Sequence, residues 1–361
     1  TFAVVPLGIG GSFWALKTIL MCTSLATILL VWRCARLLGR DPLPAVVLTG
    51  VNPIVLVWGL GGDHNDFLMM FCIVLGFYLL LLARARYGAP GGTPTAGETR
   101  SADEVRGAGG TRSAGETRGA AAWVLPLSAL DMGTGAAFVA ATALKASAAV
   151  LIPVMLVGLA RAPRRLAQVV LGMLLAGVIV GGASLLAFGL HLPDLSSQSQ
   201  LVTSESIPNL IGLALGVGGV NGAVRTAMDA SLMVAVIACC WFTWSAPARA
   251  RAGAGAGAAA GAPEANADTD ATARSLTACG WASIALLVTL SWVLPWYVVW
   301  VLPLAAISGS RRLRTAALVF GVYLIAVWSP VSGSILHSIG FRPERTPLGR
   351  YHQRYTKELL D

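Results

Sequence analysis

The run Phe67-Leu68-Met69-Met70-Phe71-Cys72-Ile73-Val74-Leu75-Gly76-Phe77-Tyr78-Leu79-Leu80-Leu81-Leu82 carries no charge, lies between Asp66 and Arg84, and decides the fold. With its flanks it approaches the roughly 20 residues that a helix needs to cross a bilayer. Nine more runs like it follow or precede, giving segments A 13–32, B 43–60, C 67–82, D 121–140, E 146–160, F 166–190, G 227–246, H 276–294, I 297–309 and J 315–330. E and I are short, so they are tilted, packed behind other helices or partly inserted. The expected fold is all-α, a polytopic membrane helical bundle of about ten segments.

Composition agrees. Of 361 residues, 56% are apolar and 12% are charged, and the mean hydropathy is +0.72. A soluble chain has roughly a quarter of its residues charged, so a soluble enzyme and a nucleic-acid binder are both excluded. The six cysteines form no CxxC pair, which suggests neither a disulfide framework nor a zinc site. Thr1 opens without an initiator Met or a signal-like n-region, and the expectation is that an N-terminal part is missing.

Basic residues set the orientation. Arg33, Arg36 and Arg40 follow A, six arginines from Arg84 to Arg118 lie between C and D, and Arg161, Arg164 and Arg165 follow E. Arg249, Arg251 and Arg274 lie between G and H, and Arg311, Arg312 and Arg314 follow I. Ten crossings put these five clusters, 18 of the 26 basic residues, on one face, which is the cytoplasmic one. Residues 207–224 are expected to lie on or re-enter the outer surface, because another crossing would invert the later clusters. Domains are then expected at 1–86 (A to C), 121–247 (D to G, with an outer loop 191–226) and 274–331 (H to J), before a tail 332–361. The Gly/Ser/charge-rich stretch 87–120 and the Ala/Gly-rich stretch 248–273 cannot bury a core and are expected to be disordered.

Unusual residues gather on the expected outer face. Between B and C stand Gly61-Gly62-Asp63-His64-Asn65-Asp66, ionisable groups with no basic neighbour nearby in sequence. Such groups are costly at membrane depth and face a cavity or a partner. Alternatively Asp66 simply caps helix C, or His64 and the two aspartates hold a metal, though adjacent side chains rarely chelate one ion unaided. Lys145, at the D/E turn, suits a phosphate or snorkels to the interface. Trp292 through Trp300, broken by Pro295, forms an interfacial aromatic belt or a binding platform. His191, Asp194, Glu205 and Asn209 could complete a polar pocket, and Asp131 and Asp229 are further acids of note.

Asn52-Pro53 followed by Gly61-Gly62-Asp63-His64-Asn65-Asp66 and Leu68-Met69 resembles the actinobacterial membrane mannosyltransferases that use polyprenol-phosphate-mannose. These are GT-C-type enzymes, including the α-1,6-mannosyltransferases of lipomannan and lipoglycan synthesis. The Lys145 segment, Ile207-Pro208-Asn209-Leu210-Ile211-Gly212, and Pro295-Trp296-Tyr297 through Trp300-Val301-Leu302-Pro303 look like later landmarks of the family in the right order. The resemblance implies hexose transfer, mannose by the family, from a polyprenyl-phosphate donor to a glycan or glycolipid acceptor at the outer face of the plasma membrane. It implies Asp66, His64 and Asp63 as catalytic residues and Asn65, Lys145, Asn209, Trp296 and Tyr297 as substrate-binding residues. The expected partners are membrane lipid, donor and acceptor, with no nucleic acid, no cofactor and no metal. Relatives usually carry an acid, thought to be the base, in the first outer loop; here no acid precedes Asp41, and Ala146 stands where relatives often have Pro.

Two rivals remain: a transporter, which should show internal pseudo-symmetry that this sequence lacks, and an inactive membrane-protein fragment. The topology is testable in intact cells. An impermeant thiol reagent should label Asp63→Cys and Ser204→Cys and spare Thr111→Cys; the reverse pattern would invert the orientation.

Overall fold

Each of the ten apolar runs contains helix in the computed structural model, which describes residues 8–59, 62, 64–87, 128–189, 201–203, 205–253 and 264–328, with isolated positions between 334 and 354. In chain order they are α1 (Gly8–Leu37), α2 (Pro42–Gly50) with a π-helical turn (Val55–Gly59), α3 (Asp66–Tyr87) and α4 (Ala129–Leu144). A 3-10 turn (Ala146–Val150) leads into α5 (Leu151–Leu159), followed by α6 (Pro163–Phe188), α7 (Ile207–Ala214) and α8 (Gly222–Gly253). Then come α9 (Glu264–Thr289), a 3-10 helix (Pro295–Trp300) leading to α10 (Leu302–Ser308), and α11 (Arg311–Trp328). No strand occurs among the described residues.

The starts are written locally. Asp41 accepts from the Leu43 backbone N–H ahead of α2, Ser128 accepts from Asp131 ahead of α4, and Ser206 accepts from Asn209 ahead of α7. Each satisfies a donor that the first helical turn leaves open. Pro follows the cap in α2 and α7, where its missing N–H costs nothing.

Five helices, α1, α3, α6, α8 and α9, are long and apolar enough to cross a membrane. Of these, α3 and α9 run through the interior, whereas α6 and α8 expose Leu174, Val178, Ile179, Leu186, Met233, Val234, Ile237 and Trp241. An apolar surface of that extent belongs against lipid. Of the short pieces α10 packs inside: every residue from Leu302 to Ser308 is buried. At eight residues α7 is too short to span.

Segment D, expected at 121–140, contains α4, which is capped by Ser128 and runs from Ala129 to Leu144; 121–127 lie outside the described residues. One expectation needs correction. The Ala/Gly-rich stretch 248–273 is partly helical, because α8 continues to Gly253 and α9 already begins at Glu264. Alanine is the best helix former, and extending an existing helix requires no new nucleus. Residues 254–263, and 88–127 with nearly all of the expected loop 87–120, lie outside the described residues, as does most of the tail.

Helix ends sort into two sets. At one, the Thr203 N–H donates to Ser291 O at 2.9 Å, and the Tyr323 hydroxyl donates to the Glu205 carbonyl. At the other, Arg161 Nη2 donates to Trp244 O at 2.8 Å, Arg40 donates to Ile307 O, and Arg165 joins Asp131 at 2.9 Å. Asp131 thus clamps the arginine-rich end: Arg165 also donates to Leu80 O at 2.8 Å, tying α3, α4 and α6 together.

Between α4 and α6 the backbones touch. A Cβ at Gly135 would lie 2.0 Å from Val169 O, and one at Gly172 would lie 2.0 Å from Met132 O. Close approach through small residues is how helices associate without a hydrophobic drive between them. Gly172→Ala should therefore lower detergent-solubilised stability by about 1–3 kcal/mol, as overpacking does. Gly177→Ala, on the same helix with nothing within 4 Å, should be neutral or stabilising by up to about 1 kcal/mol; equal melting temperatures for the two variants would refute the contact.

Candidate functional site

Asp66 opens α3 with 2% of its side chain exposed. A buried carboxylate must find donors, and two arrive from elsewhere in the chain. Lys145 Nζ lies 2.7 Å from Asp66 Oδ1, and the Trp300 indole N–H donates to the same oxygen. Lys145 is placed by its backbone. It is an extended residue that ends α4 and begins the 3-10 turn, its N–H donating to Ala141 O. The kink aims the side chain at the start of α3 instead of along the helix.

The aromatic wall follows from 3-10 geometry, in which residues i and i+3 eclipse. Tyr297 and Trp300 therefore stack, with centroids 4.3 Å apart and planes at 21°. The Lys145 ammonium sits 4.2 Å from the Tyr297 centroid and 4.6 Å from that of Trp300, within cation–π range. Beside them His64 lies flat on Trp296, at 3.6 Å and 12°. Asn65 Nδ2 donates to Leu144 O at 3.2 Å, pinning the loop before α3 to the end of α4.

Four of the expected site residues, Asp66, His64, Trp296 and Tyr297, thus meet Lys145 in one cluster, and Asn65 fastens its edge. One alternative falls. Lys145 is not a lone snorkelling cation, because it is paired with Asp66. Of the aromatic run, Tyr297 and Trp300 are buried within the protein, whereas Trp292 and Trp296 are half-buried. The carboxylate of Asp66 also does more than cap α3, since it holds two distant donors.

Asn209 is buried within its own loop, where Oδ1 accepts from Val220 N at 3.3 Å. Asp131 belongs to the opposite end, and Asp229 is exposed on α8. Asp63, His191 and Asp194 lie outside the described residues. Among the described residues no group of three His, Cys, Asp or Glu could hold a metal ion. Trp300 was read only as part of the aromatic run and not as a site residue; its i, i+3 relation to Tyr297 was the available signal.

Residues 8–161 match the family model described as alpha-(1->6)-mannopyranosyltransferase, N-terminal domain, and residues 267–343 match the MptB C-terminal domain. Together the matches cover more than half of the chain. No curated protein and no solved structure matches it. Asp66 and Lys145 fall in the first matched part and Trp296 to Trp300 in the second, so the cluster joins the two.

Removing one member of a buried ion pair strands the other charge at a cost of about 3–5 kcal/mol. Asp66→Asn and Lys145→Met should each lower unfolding stability on that scale, and the double variant should lose less than the sum. Fully additive losses in detergent melts would mean that the two side chains do not depend on each other.

Proposed function

Because this chain belongs to the alpha-(1->6)-mannopyranosyltransferase family, and so is a membrane hexosyltransferase using a sugar donor and a glycan acceptor, we propose that its donor is polyprenyl-phosphate-mannose. We propose further that transfer to a glycan or glycolipid takes place at the outer face of the plasma membrane. The observation that carries this is the Lys145 ammonium, held by Asp66 and two aromatic rings with 23% of its side chain still exposed.

In the reaction an acceptor hydroxyl oxygen bonds to the anomeric carbon of mannose. The bond from that carbon to the phosphate oxygen breaks, and its electron pair leaves with the lipid phosphate. The hydroxyl proton passes to a carboxylate base. A fixed cation beside the departing phosphate stabilises the charge that develops there. Lys145 suits that role, because an ammonium has three donors and Asp66 occupies one. Asp66 itself is a positioning residue, since its Oδ1 accepts from both Lys145 and Trp300. His64 and Trp296 offer a flat apolar wall suited to a sugar ring, and Asn65 holds the loop that carries His64. By family resemblance, the base belongs to an acidic first outer loop.

Support for the outer face comes from charge. The arginines that end α1 and α3 and begin α6 and α11 are gathered at the end opposite this cluster, which favours a cluster facing away from the cytoplasm. An active site at a bilayer surface lets the polyprenyl chain stay in lipid while its phosphate-sugar reaches the protein.

The test uses the complete gene product in membranes with radiolabelled polyprenyl-phosphate-mannose and a mannoside acceptor. Lys145→Met should lower kcat/KM for the donor by about 10²-fold or more, on the scale of losing one electrostatic stabiliser, and Lys145→Arg should retain most of it. Wild-type donor kinetics in both variants would overturn the phosphate contact.

A further inference from the structure

One side chain touches both charges of the cluster. The edge of the Trp300 ring donates its N–H to Asp66 Oδ1, while its face lies 4.6 Å from the Lys145 ammonium. The indole has no latitude, because it is buried, stacked on Tyr297 and flanked by buried Val299 and Val301.

We propose that Trp300 is a positioning residue that keeps the Lys145 ammonium available to the donor phosphate. This rests on Lys145 being the phosphate contact. In a low-dielectric site a carboxylate with a single cationic partner draws that partner in with its full strength. A second donor on the same oxygen takes part of that demand and fixes the carboxylate's direction. The ammonium then stays on the side where Tyr297 and Trp300 support it, with hydrogens left for phosphate oxygens. If Trp300 were only core filling, a benzene ring would serve equally well. The specific element is the N–H, because the neighbouring Tyr297, stacked nearly parallel to it, supplies ring area but no donor to Asp66 among the described contacts.

A double-mutant cycle isolates this. Trp300→Phe keeps a stacking ring and removes the donor. With acceptor saturating, it should lower donor kcat/KM by about tenfold, the scale of one hydrogen bond to a charged group, and leave the acceptor KM unchanged. In an Asp66→Asn background the same substitution should have no further effect, since the indole acts through that carboxylate. Binding of polyprenyl phosphate to the detergent-solubilised protein, read in parallel, should show the same pattern: weaker for Trp300→Phe, and no weaker for the double variant than for Asp66→Asn. Wild-type donor kinetics for Trp300→Phe, or equal losses in both backgrounds, would overturn the positioning role and leave Trp300 as packing. A wild-type protein inert toward polyprenyl-phosphate-mannose that also fails to bind polyprenyl phosphate would instead overturn the donor assignment, and the role built on it.

Discussion

A carboxylate as buried as Asp66 cannot be satisfied by water, so the protein must bring donors to it. That requirement ties the start of α3, the end of α4 and the 3-10 helix before α10 to one point. The three segments lie in both of the family-matched parts of the chain. Their meeting fixes the relation between those parts. It also sets a cation among stacked aromatic rings beside a buried acid, an arrangement found nowhere else among the described residues.

The rest of the bundle supports that point. Backbone contact at Gly135 and Gly172 holds α4 against α6, and the Thr134 hydroxyl bridges α4 to Gly76 O on α3 at 3.2 Å. At the far end of the same helices, Arg165 grips Asp131 and Leu80 O. α4 is thus held at both ends by an ion pair, and α3 by an ion pair at its start and the Arg165 hydrogen bond to Leu80 O near its end, with close packing between. Lys145 inherits its position from that fastening, since it follows the last turn of α4. A cation that is to meet a phosphate needs such preorganisation, because the benefit of a fixed charge is lost if it must reorganise during the reaction.

Much of this was legible in sequence. Uninterrupted apolar runs announce their helices, the arginine clusters announce which ends lie together, and the His64-Asn65-Asp66 block announces a costly polar site. The ion pair was not legible. Asp66 and Lys145 are 79 residues apart and Asp66 and Trp300 are 234 apart, so neither charge has its partner among its sequence neighbours. Hydropathy also passed over the cap of α4, although Ser128 three residues before Asp131 is a readable one. The pairing of Asp131 with Arg165 needed the fold, as did the use of Asn209 to close its own loop. Composition misled at 248–253 and 264–273, where helix propensity outweighed the low complexity of the stretch.

The central claim is that the cluster of Asp66, Lys145 and Trp300 receives the phosphate of a lipid-linked mannose. The most direct measurement is a cryo-EM structure of the protein in lipid nanodiscs with a non-transferable polyprenyl-phosphate-mannose analogue bound. The account predicts a phosphate oxygen within about 3 Å of Lys145 Nζ, ordinary hydrogen-bond distance, with Asp66 still accepting from Trp300. A phosphate bound elsewhere, with Lys145 fully enclosed by Asp66, Tyr297 and Trp300, would contradict it.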